Sequence, residues 1–428
     1  MPSSSPFILS ASRRTDIPAF YGEWFRNRLR AGWCETRNPF SGQAYRVSMR
    51  PRGVLGWVFW SRNYEPFLGA LQELHNSGQR FICHFTITNF SRVFEPRVPP
   101  LDAAIETARR LAAAFGPDVV QWRYDPILLT QLTPPEWHEG NFAALAGRLE
   151  GSARRCIFSF PTMYRKTVRN LEALVVRSAG FSPSSPVGSA GFSPSSPVRS
   201  AGFSPSSREG ETVRVWSQKA GDFTLEDLSS FARRLAAIAA AHGMRMQTCC
   251  NDRWIAPEYN IVKAHCADWP LLRSLGAGDH LGDAVREPGG AAEPCDAVEP
   301  CGATGPCGAA EPCGAAGPYG AVEPCGTVEP CGVSKPFGTP EPRGGPEPHG
   351  GAETCGGAET RGTPDLFGEG EFEVPLHPTR RECGCFKSVD IGCYETCGHG
   401  CAYCYAVDDP ARAQANLARH QAQAPGLG

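Results

Sequence analysis

A chain of 428 residues with a formal net charge of -2 has no global field to draw it to nucleic acid or to a membrane surface, although a local basic patch is compatible with that balance. It contains no apolar run long enough to cross a bilayer, and its opening stretch MPSSSPFILSASRRTD has neither a basic leader nor an apolar core of secretory length. A cytoplasmic protein without a membrane partner is therefore expected, and in that compartment 19 cysteines are expected as reduced thiols or metal ligands rather than a disulfide framework.

In chain order, short apolar runs alternate with helical patterns. The runs are FILSAS (7–12), GVLGWVFW (53–60), RFICHFTIT (80–88), DVVQWRYDP (118–126), RCIFSF (155–160) and MRMQTCC (244–250). Helices are predicted at 18–31, 64–78, 101–115, 135–150, 161–176 and 224–242, the first and fourth opened by Pro18 and Pro135. Continuous apolar strands between helices are the pattern of a parallel sheet covered by helices. Six such βα units predict an α/β fold, a partial or complete β/α barrel.

Two stretches interrupt this pattern. Residues 177–209 carry an 11-residue unit, RSAGFSPSSPV and near copies, too short and polar to build a solenoid core. Residues 276–370 repeat AEPCGA and GGPEP variants, whose Pro and Gly density excludes helix and sheet interiors. Both are expected to be disordered insertions without a role of their own. The expected organisation is a barrel domain at 1–275 broken by the first insertion, the second insertion at 276–370, and a cysteine-rich tail at 371–428.

In a β/α barrel the loops after the strands line one face, where the chemistry sits. Those positions here are polar: Ser12, Arg13, Arg14, Thr15 and Asp16, then Ser61, Arg62 and Asn63, then Thr86, Thr88 and Asn89. Arg123 and Asp125 follow the fourth run, and Cys249, Cys250, Asn251 and Asp252 the sixth. Arg13, Arg14, Asp16, Arg123 and Asp125 are the candidate substrate-binding residues. Paired arginines suit bidentate recognition of an anion, so a small-molecule, nucleotide-like substrate is expected. Each has a plainer role as well: Asp16 as a helix cap, Arg123 with Asp125 as an ion pair. No residue is assigned as catalytic.

Residues 396–406 read TCGHGCAYCYA, in which Cys397, Cys401 and Cys404 are spaced C-x3-C-x2-C. Such short spacers let three thiolates converge on one cluster, whereas four-cysteine zinc sites usually arrive as two C-x2-C pairs. Three ligands on a four-iron cube leave one iron open, and an open position marks a site for chemistry. Cys383 and Cys385, with Cys249 or Cys250 and Cys266, could complete a second four-thiolate site for another cluster or zinc. Cys34, Cys83 and Cys156 are expected to pack in the core, and His399 to donate a hydrogen bond to cluster sulfur or backbone.

The CGHGCAYCYA segment resembles the cluster motif of the radical S-adenosylmethionine (SAM) enzymes, and is similar to its C-x-H-x-C-x-Y-C-Y form in spore photoproduct lyase-like members. The resemblance implies a [4Fe-4S] cluster on Cys397, Cys401 and Cys404, SAM on the fourth iron, Tyr403 beside the cofactor, and an electron donor such as ferredoxin or flavodoxin. It also implies a six-fold partial barrel. Two features depart from that pattern: the cysteine loop ends the chain instead of following the first strand, and VFWSRN stands where a GGEP-like segment would be. A tail folding back over the barrel mouth would restore the geometry. More widely, SASRRTDIPAFYGEWFRNRL, RNPF, VFWSRN, WRYDPILLT and CGCFKSVDIGCYETCGHGCAYCYA together resemble a bacterial family of unknown function, domain of unknown function 1848. Two alternatives stay open: a binding or electron-transfer protein whose iron–sulfur or zinc site is closed by Cys393 or Cys385, and an enzyme whose arginines and aspartates do acid–base work beside a structural metal.

Overall fold

The computed structural model describes residues 6–174, 213–216, 221–275, 374–380 and 382–427. The repeat stretches at 177–209 and 276–370 lie outside them.

Among the described residues ten strands form: β1 (Phe7–Ala11), β2 (Trp33–Arg37), β3 (Ala44–Ser48), β4 (Val54–Ser61), β5 (Phe81–Thr86), β6 (Val120–Tyr124), β7 (Arg155–Phe158), β8 (Arg245–Thr248), β9 (Ile261–Lys263) and β10 (Ser388–Asp390). The helices are α1 (Ile17–Phe20), α2 (Gly22–Ala31), α3 (Leu68–Asn76), α4 (Leu101–Phe115), α5 (Pro135–Leu149), α6 (Arg165–Glu172), α7 (Leu225–Ala241), α8 (Trp269–Ser274) and α9 (Pro410–Arg419). All six predicted runs are strands. Each predicted helix contains a helix, the first of them broken at Tyr21 into α1 and α2.

Eight strands pair in parallel in the order β10-β1-β4-β5-β6-β7-β8-β9, and β2 and β3 make a separate antiparallel hairpin. The fold is thus α/β, with two parallel strands more than the six expected. In a flat sheet the edge strands β9 and β10 would stand on the order of 30 Å apart. Instead Phe386 N, just before β10, donates to Ala267 O, just past β9, at 3.0 Å. The sheet is curled until loop segments join its two edges, although no ladder pairs β9 with β10.

Strand alternation sorts the side chains between the two faces of this curl. On β6, Trp122 and Tyr124 turn outward onto Phe142 of α5, with ring centroids 4.8 and 5.0 Å apart, while Arg123 between them turns inward. The outer layer repeats this: Phe25 of α2 packs on Trp57 and Phe59 of β4 at 5.3 and 5.6 Å. Cys34, Cys83 and Cys156 are buried in this layer, as packing residues should be. Inside the curl, Ile8, Val58, Ile82 and Ile157 close on Leu271 and Leu272 of α8. Gly56 leaves room for that plug, because a Cβ there would come 2.9 Å from Leu272 Cδ2. The rest of the interior is polar, and the candidate site occupies it.

The tail folds back onto the N-terminal elements. Trp24 Nε1 and Asn27 Nδ2 of α2 donate to Ala424 O and Ala422 O at 2.9 and 3.0 Å, Glu35 N to Pro425 O at 2.7 Å, and Tyr21 Oη to Thr396 O at 2.6 Å. These bonds carry the cysteine loop to the end of β1.

Candidate metal and ligand cavity

The loop after β1 is shaped by an acid from the far end of the chain. Asp390, on β10, accepts from Ser10 Oγ at 2.6 Å, Ser12 Oγ at 2.8 Å, Arg13 N at 2.8 Å and Arg14 Nε at 3.1 Å. Burial pushes its carboxyl up, but Arg14, Ser10 and the Arg13 N–H outweigh burial and hold it below the usual carboxylate range. Gly392 follows because any Cβ there would overlap Ser12 Oγ. With Arg14 committed to Asp390, its neighbour Arg13 is left over the Trp60 ring, 5.1 Å from the centroid, and its buried Nη2 has no hydrogen-bond partner.

Asp16 has three tasks. Its Oδ1 caps α1 through Ala19 N at 2.9 Å, and its Oδ2 accepts from Arg62 N at 2.8 Å and from His399 Nε2 at 2.8 Å. The expected cap is real, and the same carboxylate reaches into the cysteine loop. His399 Nδ1 lies 3.2 Å from Arg97 O, so the ring stands between two acceptors, the Asp16 carboxylate and a backbone carbonyl. The expected backbone contact is present, and the carboxylate is an added partner. Gly398 and Gly400 permit the close approach: a Cβ would come 2.8 Å from Leu417 Cδ2 at the first and 2.6 Å from Arg97 Nη2 at the second, where φ is +71°.

Tyr403 stands within this loop. Its hydroxyl bonds Glu95 and takes a bond from Arg62, while Arg62 Nη1 pairs with Glu95 Oε1 at 2.8 Å and Thr88 Oγ1 donates to the same oxygen at 2.7 Å. Sequence reasoning named Arg62 only as a loop residue and did not find Glu95 or Asp390. Burial pushes the Cys397 and Cys404 thiols up, and that of Cys401 up to about 12. Left to themselves these thiols stay protonated near neutral pH; a bound metal would remove the penalty.

Arg123 bonds Asp125 through Nε at 3.1 Å and donates from Nη1 to Cys266 Sγ at 3.3 Å. Asp125 in turn accepts from Ser159 Oγ. The expected ion pair exists, and its free edge faces a sulfur.

These groups meet in one cavity of about 310 Å³. Its walls include every candidate: Arg13, Arg14, Asp16, Arg123, Asp125, the thiols of Cys397, Cys401 and Cys404, and those of Cys249, Cys266, Cys383 and Cys385. Cys250 joins them. Cys393 does not line it; its charged neighbours are Arg14, Arg37 and Glu395. Among the described residues no three His, Cys, Asp or Glu side chains gather about a point closely enough to hold a single ion. Cysteines on a four-iron cube each bind a different iron, so such a cluster does not need that spacing.

No helix among the described residues is long and apolar enough to cross a membrane. No curated protein and no solved structure matches the chain. Residues 8–187 and 365–406, just over half of the chain, match the family model described as a domain of unknown function (DUF1848), and the chain belongs to that family.

Proposed function

We propose that this chain is a cytoplasmic iron–sulfur enzyme of the radical SAM kind, built on a partial β/α barrel and acting on a small anionic, nucleotide-like substrate. The observation that carries the reading is the placement of Cys397, Cys401 and Cys404 in the wall of the cavity while Cys393 stays outside its lining. Three half-buried thiols from one loop, with Cys393 outside the lining, fit a [4Fe-4S] cluster that would leave one iron without a protein ligand. When bound, such a cluster would supply one electron to SAM. Membership of the family does not itself assign this activity.

The chain's own residues have definable parts in this reading. Tyr403, held by Arg62 and Glu95, and His399, held by Asp16 and Arg97 O, fix the loop so that its thiols keep their aim. Arg13 offers an unpaired buried N–H to an anionic group, with Trp60 beneath it as a flat wall. Arg123 and Asp125 line the same cavity, where they can orient polar substituents. The curled sheet supports the barrel reading, because its joined edges enclose the cavity.

The test is anaerobic reconstitution with iron and sulfide, followed by metal analysis and visible absorption on wild type and a Cys397→Ser/Cys401→Ser/Cys404→Ser variant. Loss of one cluster's worth of iron and sulfide in the variant is expected. Equal contents in the two proteins would refute the reading.

A further inference from the structure

Five cysteines outside the C-terminal loop pack in one cluster and line the cavity. Cys249 Sγ lies 3.5 Å from Cys250 Sγ and 3.4 Å from Cys266 Sγ. Cys383 neighbours Cys250 and Cys385, and Cys385 neighbours Cys266, within one buried cluster. Three distant stretches contribute: the end of β8, the segment after β9, and the strap before β10. The contacts are far longer than a disulfide bond, about 2.0 Å, and every described cysteine is unbridged.

The backbone is arranged to bring these cysteines together. Consecutive residues of a strand point to opposite faces, but Cys250 adopts φ +54°, which turns its thiol to the side of Cys249. In the Cys-Gly-Cys strap, Gly384 lies so close to the segment after β9 that a Cβ would come 3.0 Å from His265 Nδ1 and 3.1 Å from Ala264 O. Phe386 N and His265 Nδ1 bond across the same contact, to Ala267 O and Gly384 O.

Three arginines stand beside the cluster. Arg123 Nη1 donates to Cys266 Sγ at 3.3 Å. Arg13, with its unpartnered Nη2, stands near Cys385 and Cys266, and Arg380 near Cys250 and Cys249. Neutral thiols need no such counter-charge, whereas four thiolates on a divalent centre leave a net negative charge to be met.

The geometry points to a second metal centre, ligated by Cys249, Cys266, Cys383 and Cys385 and taking a thiophilic metal, either iron in an iron–sulfur cluster or zinc. Cys250, the most exposed of the five, is the spare. The sulfurs do not converge on one point in this structure, so binding a metal requires the thiols to swing inward by rotation about their Cα–Cβ bonds. This centre lines the same cavity as the first and stands whether or not the Cys397 loop holds a cluster.

The test uses the full chain, purified without oxygen after growth with iron or zinc, and measures iron, zinc and acid-labile sulfide per chain. The variants are Cys383→Ser/Cys385→Ser, Cys249→Ser/Cys266→Ser, Cys250→Ser and the Cys397/Cys401/Cys404 triple serine. Each double variant should lose one centre, Cys250→Ser should keep it, and the triple variant should retain it. Lost iron with lost sulfide identifies a cluster, and lost zinc with unchanged sulfide identifies a zinc site. A double variant with the full metal content and the circular dichroism of wild type overturns the proposal, and so does wild type with no metal beyond what the triple variant loses. The two sites therefore fail separately.

Discussion

The Nε2 of His399 lies 2.8 Å from Oδ2 of Asp16, and through that bond the C-terminal cysteine loop is locked to the loop after the first strand. Both residues are buried, and the carboxylate also caps α1 and holds the Arg62 N–H. Asp16→Ala removes all three interactions, and a loss of about 2–4 kcal/mol of stability is expected. Asp16→Asn, which keeps an acceptor for the cap, is expected to lose about half as much. Urea midpoints of the three proteins measure this, and a shift for Asp16→Ala within error of zero would show that the loop is held elsewhere.

Asp390 is the keystone of the SRR loop. With its carboxylate gone, the Arg14 guanidinium, the Arg13 N–H and two serine hydroxyls are left facing one another in a buried place. Asp390→Ala is expected to destabilise by about 3–5 kcal/mol, the range for breaking a buried charge pair from one side. Ser10→Ala, which deletes one of the five donors around this carboxylate, the fifth being Gly392 N, should remove only about 1 kcal/mol. If the two variants melt alike, Asp390 does not organise the loop.

Arg13 differs from Arg14 in having a buried donor to spare. Inorganic pyrophosphate serves as an anionic probe, measured by calorimetry on the metal-loaded protein. Arg13→Gln should weaken its binding about 10-fold or more, the worth of one charge-assisted hydrogen bond, and Arg148→Gln, on the outer surface, should leave it unchanged. Equal weakening by both would mean only diffuse charge.

His138 predicts a pH dependence on the outer layer. Its Nε2 donates to Leu128 O at 3.1 Å and its Nδ1 accepts from Tyr124 Oη at 2.7 Å, which fixes the neutral ring. Burial lowers its pKa from 6.5 to about 4. As pH falls through 6.5 the unfolded chain takes up a proton that the folded chain refuses, so stability declines until pH 4 and then levels. This group alone contributes on the order of 3 kcal/mol over that window. Urea titrations from pH 7 to 4 should show a shallower decline for His138→Gln; parallel curves would remove the histidine as the cause.

What could be read from the sequence follows from element length and local pattern. The strands around Trp57, Phe85 and Trp122 are buried on both faces, so they read as continuous apolar runs. β9 and β10 have three residues each, too few for any periodicity, and they are the two strands that complete the sheet. The β2–β3 hairpin alternates over a half-exposed surface and is broken by an Asn-Pro turn, so it escaped a search for apolar runs. Cys397, Cys401 and Cys404 stand out in the sequence because C-x3-C-x2-C is a local spacing, and the structure brings all three to the cavity wall. Asp390 was not: one acid in SVD carries no mark, and its partners lie at the opposite end of the chain. Glu95 is hidden for the same reason, since its meaning comes from Arg62 and Tyr403.

The most direct measurement is electron paramagnetic resonance of the reduced, reconstituted Cys383→Ser/Cys385→Ser protein, with and without SAM. Removing the second thiol group leaves Cys397, Cys401 and Cys404 as the source of any signal. The account predicts a four-iron signal that changes shape when SAM is added and disappears when those three cysteines are also replaced. A signal of undiminished size that ignores SAM would mean that the fourth iron is closed, and the radical SAM reading would be wrong.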